Sequence, residues 1–355
     1  MLQYSGKRRQ TTSFTIGGVG IGSDYPVSIQ SMTNTDTRDA QATLTQIGQL
    51  AEAGFQMVRV AVPDEEAASA LKIICAESPV PVIADIHFNH RLALMAMDNG
   101  ISSLRINPGN IGSEEKVREV VSQAKAMQIP IRIGVNAGSL EKDLLAKYQH
   151  PTAEALVESA LRHVRILEDL NFDQIKISLK ASDVPLMIAA YRLMAEQVPY
   201  PLHLGVTEAG NAKHGIVKSA IGIGTLLAEG IGDTIRVSLT GNPLQEIPVA
   251  KQILRSLDLY PKGVEIISCP TCGRTQIALE QLVDAVDQMV SKVDKPLKLA
   301  VMGCVVNGPG EAREADLGIA GGKGEGLIFR KGEIIKKVPE EQLLSAFQEE
   351  LDKLL

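Results

Sequence analysis

Eight short apolar runs recur along the chain: VSIQSM (27–32), MVRVAV (57–62), PVIADI (81–86), SLRINP (103–108), IRIGVN (131–136), IKISLK (175–180), LHLGVT (202–207) and TIRVSL (234–239). Between them lie segments whose apolar residues fall at helical spacing, such as DAQATLTQIGQLAEAG, EKVREVVSQAKAMQ and PTAEALVESALRHVRILEDL. The last opens on a Pro-Thr start signal. Strands that alternate with helices leave two architectures, an open doubly wound sheet or a closed (β/α)8 TIM barrel. The count of eight, a span of about 255 residues and the lack of a long irregular crossover select the barrel.

Ahead of the first run, TSFTIGGVGIGSDYPVSI (12–29) alternates around glycines. It does not fit the dinucleotide pattern G-x-G-x-x-G. Counted from Gly18 and Gly20, Ser23 stands where the third glycine belongs, and no helix follows. The expected element is a β-hairpin that plugs one end of the barrel.

At DLYPKG (258–263) the alternation stops. The expected organisation is therefore a substrate-binding barrel with its hairpin over 1–258 and a small α/β domain over 259–355. The second domain reads as a strand VEIIS, a CPTC turn, a helix TQIALEQLVDAVDQMVSKV and a strand LKLAVMG. A CVVNGPGE loop, a hairpin LGIAGGKGEGLIFRKGEIIKKV and a closing helix EEQLLSAFQEELDKLL complete it.

Strand side chains alternate faces, and in such barrels functional groups gather at the C-terminal strand ends. Polar residues recur there: Arg59; Asp85 and His87; Arg105 and Asn107; Arg132 and Asn136; Lys176, Ser178 and Lys180; His203, Thr207 and Glu208; Arg236, Ser238 and Thr240. Six cations (Arg59, Arg105, Arg132, Lys176, Lys180, Arg236) face two acids, Asp85 and Glu208, although the whole chain carries a net charge of −6. Buried cations are costly unless compensated. A ligand with more than one phosphate group would compensate them, and arginine forks suit phosphate oxygens. The competing reading is an internal salt-bridge layer. Lys176 and His203 lie early in their strands, where a structural role is as well supported as a functional one. Asn136 and Glu208 lie at the open end.

Composition excludes several other classes. Aromatics are 3% with no Trp, which argues against a stacking surface for single strands, and no basic excess marks nucleic-acid binding. The start, MLQYSGKRRQTTS, lacks an apolar core for a secretory signal, and no apolar run reaches membrane-spanning length. Four unevenly spaced cysteines do not form a disulfide framework, so a reducing cytoplasm is expected.

Three of those cysteines, Cys269, Cys272 and Cys304, lie in the second domain. C-x2-C alone fits a redox dithiol, a zinc knuckle or an iron–sulfur site. A dithiol leaves Cys304 unexplained. Structural zinc wants a fourth Cys or His, and the domain has no histidine. An iron–sulfur cluster tolerates three thiolates, and Glu311, seven positions after Cys304, offers a carboxylate for the remaining iron. Cys75, in ASALKIICAES, reads as core packing on an outer helix.

The runs SCPTCGR and MGCVVNGPGE, joined to SMTNTDT, RVAVP, DIHFN, LRINPGN, RIGVNAGSL, HLGVTEAG and RVSLTG, resemble the 4-hydroxy-3-methylbut-2-en-1-yl diphosphate synthase family in its two-domain bacterial form. The resemblance spans essentially the whole chain. It implies an iron–sulfur oxidoreductase of the methylerythritol phosphate route to isoprenoids, dependent on flavodoxin or ferredoxin. The implied cofactor is a [4Fe–4S] cluster on Cys269, Cys272 and Cys304 with Glu311 as fourth ligand. The implied substrate is 2-C-methyl-D-erythritol 2,4-cyclodiphosphate, reduced by two electrons to the linear allylic diphosphate. The family's substrate-gripping positions fall on Arg59, Arg105, Arg132, Asn136, Lys180, Arg236 and Ser238, with Asn307 on the cluster side. Its barrel carboxylate falls on Glu208, the candidate general acid beside Glu311. The rival reading is a phosphate- or pterin-binding barrel transferase with a structural zinc domain.

A head-to-tail homodimer is also expected. The eighth barrel helix should end at the bottom of the barrel, and the six residues of DLYPKG span only about 20 Å, shorter than the path round the barrel to its mouth. The cluster domain of a partner copy would then cap the mouth, as the resemblance also implies.

Overall fold

The computed structural model describes residues 8–111, 113–260, 262–304 and 312–355. Asn307 and Glu311 therefore lie outside the described residues. The chain divides into two compact units, Met1–Tyr260 and Pro261–Leu355.

The first unit opens with a hairpin, β1 (Phe14–Ile16) and β2 (Val19–Ile21). Gly17 and Gly18 turn it at φ +53° and +88°, a left-handed pair that any side chain would strain. Ile16 and Ile21 pack on Met57 and Ile83, which stand near the starts of their strands, so the hairpin closes the N-terminal end of the barrel. Arg8 pins it by donating to Asp233 at 2.7 Å and to the Gly22 carbonyl at 3.1 Å.

Eight parallel strands follow: β3 (Ser28–Met32), β4 (Met57–Ala61), β5 (Val82–Asp85), β6 (Ser103–Ile106), β7 (Ile131–Asn136), β8 (Ile175–Lys180), β9 (His203–Leu204) and β10 (Thr234–Ile235). Their order is β8-β7-β6-β5-β4-β3-β10-β9, and a parallel bridge from Ile177 to Leu202 joins the two ends. This is the expected TIM barrel. Its outer layer is α1 (Ala40–Ala53), α2 (Glu65–Glu77), α3 (His90–Asp98), α4 (Pro108–Ile111), α5 (Glu114–Met127), α6 (Lys142–Tyr148), α7 (Ala153–Glu168), α8 (Val184–Gln197), α9 (Ala212–Ala228) and α10 (Glu246–Arg255). The short α4 and α6 are extra elements within the loops above the strands. Most of the long helices start on a side-chain cap: Asp39, Asp64, Asn89, Thr152, Asp183 and Asn211 each accept a first-turn N–H.

The two strand faces sort by polarity. Ile131, Ile133 and Val135 of β7, and Ile175, Ile177 and Leu179 of β8, join the apolar core under the helices. The alternate residues of the same strands, Arg132 and Asn136, Lys176 and Lys180, take the other face. The last two strands are shorter than their apolar runs. Gly205 sits where a Cβ would meet the Arg236 carbonyl oxygen at 2.8 Å, so the backbones there cross too closely to continue a regular ladder.

The second unit is a five-stranded sheet in the order β11-β12-β13-β14-β15. β11 (Val264–Ser268), β12 (Leu297–Met302) and β13 (Leu317–Gly321) are parallel; β14 (Glu325–Arg330) and β15 (Glu333–Pro339) are antiparallel additions. The expected hairpin over LGIAGGKGEGLIFRKGEIIKKV is thus a three-stranded meander. The second turn, Lys331 and Gly332 at φ +49° and +82°, falls in the polar break RKGE between LIF and II. α11 (Leu279–Val290) and α12 (Leu343–Asp352) cover one face around Leu299, Ile319, Ile328 and Phe347. Among the described residues no helix is long and apolar enough to cross a membrane.

Candidate active site

Register carries the cations onto one wall of the barrel interior. Asp85 pairs with Arg105 across β5 and β6, Arg105 with Arg132 across β6 and β7, and Arg132 with Lys176 across β7 and β8. Higher on the same strands Asn136 pairs with Lys180. Arg59, Arg105, Arg132, Lys176 and Lys180 are all buried. Arg236, on the segment after β10, keeps 15% of its side chain exposed.

Lys180 stands beyond Lys176 on β8, in register with Asn136. Burial lowers its pKa well below the ordinary lysine value, and the charges of Arg59, Arg132, Arg236 and Arg105 push in the same direction. Arginines of β4, β6 and β7 and of the segment after β10 are thus within electrostatic reach of one ammonium. Arg132 is also pushed down by burial and then by Arg59 and Arg105, and its three guanidinium nitrogens find no hydrogen-bond partner among the described residues. Donors without acceptors are what an oxyanion completes.

Asp85 is the anchoring acid. Its burial favours the neutral form, but Arg59, His87 and Arg105 outweigh this and hold the carboxyl below the usual carboxylate range. Arg105 Nη1 reaches Asp85 at 3.2 Å and Arg59 Nε at 3.5 Å. The Arg105 guanidinium then lies over Gly134, where a Cβ would meet its Nε at 2.4 Å. Gly134→Ala is accordingly expected to evict Arg105 from its seat while the barrel stays folded, raising KM for a phosphorylated substrate about tenfold, one charge-assisted hydrogen bond's worth. Steady-state kinetics with circular dichroism as a folding control checks this.

Glu208 stands exposed on the loop after β9, with its backbone held at φ +51°. A non-glycine residue in that region is uncommon, and such positions concentrate at working sites. Asn136 and Ser238 are half-buried near the strand ends. Lys176 and His203 lie deep in the interior. His203 is kept neutral by burial and by the cations around it, with Nδ1 2.7 Å from the Thr234 hydroxyl.

Two participants escape sequence reasoning. Glu246, at the start of α10, is buried; its Oε1 accepts from the Leu239 N–H at 3.1 Å and lies 3.5 Å from Arg236. Nothing in NPLQE marks that carboxylate as part of the mouth. Met32 places its sulfur between Arg59 and Arg236. Its register opposite Arg59 was available from the paired strands, but only once the pairing was known.

In the second unit β11 ends at Ser268, level with Val301 of the parallel β12, so Cys269 and Cys304 follow adjacent strand ends. The Gly303 N–H donates to Cys269 Sγ at 3.1 Å. Cys272 is exposed, and its thiol pKa is lowered, chiefly by a backbone N–H bond from Arg274. The Cys272 N–H in turn donates to Thr275 Oγ1 at 3.2 Å, and the helix begins only at Leu279, later than its apolar pattern suggests. All four cysteines are free thiols. Among the described residues no three ligand-type side chains already stand in ion-binding array. Three soft thiols in one unit, two of them with N–H groups that stabilise a thiolate, are donors that an iron–sulfur group can use. Cys75 is half-buried on α2, and burial pushes its thiol up to about 12, in keeping with packing.

Comparison with known proteins covers both units. A family model described as the GcpE TIM-barrel domain matches residues 11–251, and one described as the GcpE protein C-terminal domain matches residues 265–353. The chain is 60% identical over 348 residues to the 4-hydroxy-3-methylbut-2-en-1-yl diphosphate synthase (flavodoxin) of Geobacter sulfurreducens, covering 98% of this chain and 99% of that protein. It is 61% identical to the protein of the same name from Clostridium perfringens, with the same coverage. Among solved structures, the type I 3-dehydroquinate dehydratase of Clostridium difficile matches with a TM-score of 0.52 at 13% identity, covering 70% of this chain and 98% of that one; the likeness is one of fold.

Proposed function

The chain belongs to the GcpE family, and from that premise we propose how its residues divide the work of one reaction. It is an iron–sulfur oxidoreductase that opens the ring of 2-C-methyl-D-erythritol 2,4-cyclodiphosphate and removes a hydroxyl, forming 4-hydroxy-3-methylbut-2-enyl diphosphate. The observation that carries this reading is the cation cage: register sets Arg105, Arg132 and Lys176 side by side on neighbouring strands with Lys180 beyond them, and the Arg132 guanidinium nitrogens have no acceptor among the described residues. A compact cyclic diphosphate brings the charge that this cage lacks.

Arg59, Arg105, Arg132, Lys180 and Arg236 bind and orient the two phosphates, with Asn136 and Ser238 completing the hydrogen bonds at the rim. Glu208 delivers a proton to the departing oxygen, which leaves as water. Cys269, Cys272 and Cys304 would hold a [4Fe–4S] cluster, with Glu311 as the fourth ligand and Asn307 as a substrate contact. Such a cluster would supply the two electrons of the reduction, with flavodoxin, the donor in the relatives' name, as their source. Free thiols and iron–sulfur chemistry support a reducing cytoplasm as its compartment.

The working unit we propose is a head-to-tail homodimer. Lys251 of α10 donates to the Ala53 carbonyl, next to the turn that enters β4, so α10 ends at the hairpin-closed end of the barrel. The chain leaves for β11 from that end. A second copy would supply the cluster domain at the mouth. It would also cover the apolar groove between α9 and α10, lined by Ile216, Ala220, Pro248 and Val249.

The test is anaerobic. Protein purified without oxygen is expected to be brown, to contain about four irons and four sulfides per chain, and to convert the cyclodiphosphate when given a reduced viologen dye. Colourless zinc protein without turnover would refute the proposal.

A further inference from the structure

We propose that Met32 is a positioning residue whose sulfur holds the Arg59 and Arg236 guanidiniums apart, and aimed, for an incoming diphosphate. The inference rests on the diphosphate reading of the mouth. Arg59 Nη2 and Nε lie 2.8 and 3.2 Å from Met32 Sδ, and Arg236 Nη1 lies 3.5 Å from the same atom. Each arginine also has an acid: Asp85 lies 3.5 Å from the same Arg59 Nε that faces the sulfur, and Glu246 lies 3.5 Å from Arg236 Nη2. The side chains thus form one continuous row across the mouth, acid, cation, thioether, cation, acid.

The centre of that row is chemically particular. Two guanidiniums facing each other repel, and Arg236 is among the groups that destabilise the charged form of Arg59. A carboxylate between them would remove the repulsion, but it would also neutralise the positive potential that attracts phosphate. A purely apolar side chain would leave the N–H groups without an acceptor. Thioether sulfur is a weak, uncharged, polarisable acceptor. It satisfies donors from both sides and leaves the charge intact. It keeps these contacts while a phosphate oxygen accepts from the guanidiniums' remaining N–H groups, so both forks are already aimed when the ligand arrives. β3 makes this arrangement possible because it lies between β4 and β10, with Met32 opposite Arg59 in register.

The test separates an acceptor role from a packing role by two substitutions. Met32→Leu keeps volume and apolarity but has no acceptor; Met32→Gln restores an uncharged acceptor at the cost of apolarity. Binding of inorganic pyrophosphate to the holoprotein is measured by calorimetry, alongside KM and kcat for the cyclodiphosphate and the iron content. Met32→Leu is expected to weaken pyrophosphate binding and raise KM by about three- to tenfold, the worth of one or two neutral hydrogen bonds, with kcat and iron little changed. Met32→Gln is expected to bind within about threefold of wild type. A packing role predicts the reverse order, and wild-type affinity in Met32→Leu, or an equal loss in both variants, would overturn the proposal. If the leucine variant fails to fold, Met32→Gln decides alone, since a packing role forbids its retention of affinity. Arg236→Ala serves as the reference. Unchanged pyrophosphate binding there would overturn the reading of the mouth, and the proposal with it.

Discussion

Cys304→Ala is expected to lose its brown colour and all measurable turnover while binding inorganic pyrophosphate as the wild type does. Two thiolates and a carboxylate do not retain a four-iron cluster, whereas the cation cage is built wholly from the barrel strands. The loss should therefore be complete in one property and absent in the other. Iron and acid-labile sulfide analysis reports the first and calorimetry the second. Full iron content in the alanine variant would remove Cys304 from the ligand set.

The converse loss is expected of Arg236→Ala. Its guanidinium is mostly buried between Met32 and Glu246, so truncation removes a phosphate contact and strands the Glu246 carboxylate without its cation. Losing one member of a desolvated charge pair costs about 2–5 kcal/mol, so KM should rise by roughly two to three orders of magnitude with the visible spectrum unchanged. A bleached variant would show that the two losses are not separable. Because each variant keeps what the other lacks, a mixture reports on the dimer. In a head-to-tail dimer, one site of every mixed pair joins an intact barrel to an intact cluster. Subunit exchange at equal amounts should then restore roughly a quarter of wild-type activity. Self-contained sites would stay dead despite proven exchange.

Much of the protein is legible in its sequence because periodicity and burial are local properties. Alternating apolar residues in IRIGVN and IKISLK separate an outward face from an inward one, and the inward residues include Arg132, Lys176 and Lys180. Helix starts follow from Asp39, Asp64 or Asp183 standing just ahead of an apolar run. Pattern alone was weaker where backbones meet. It extended the last two strands beyond their ladders, because the close approach at Gly205 is a contact between strands. It merged β14 and β15 with β13 into one hairpin, although the polar break RKGE at the Lys331–Gly332 turn is present in the sequence.

What the sequence determined by itself was the eightfold strand–helix alternation, the cationic strand ends and the three-thiol set, each readable from residue type and spacing. Only the tertiary structure decided which charges are partners. Arg59 and Arg236 are 177 positions apart, yet one sulfur lies between them, because barrel closure sets β3 between β4 and β10. Glu246, at the head of the next helix, meets Arg236 because the connection after β10 folds back over the strand end. Electrostatic coupling depends on distance in space and on the exclusion of water, and neither is written in the order of residues until the sheet closes.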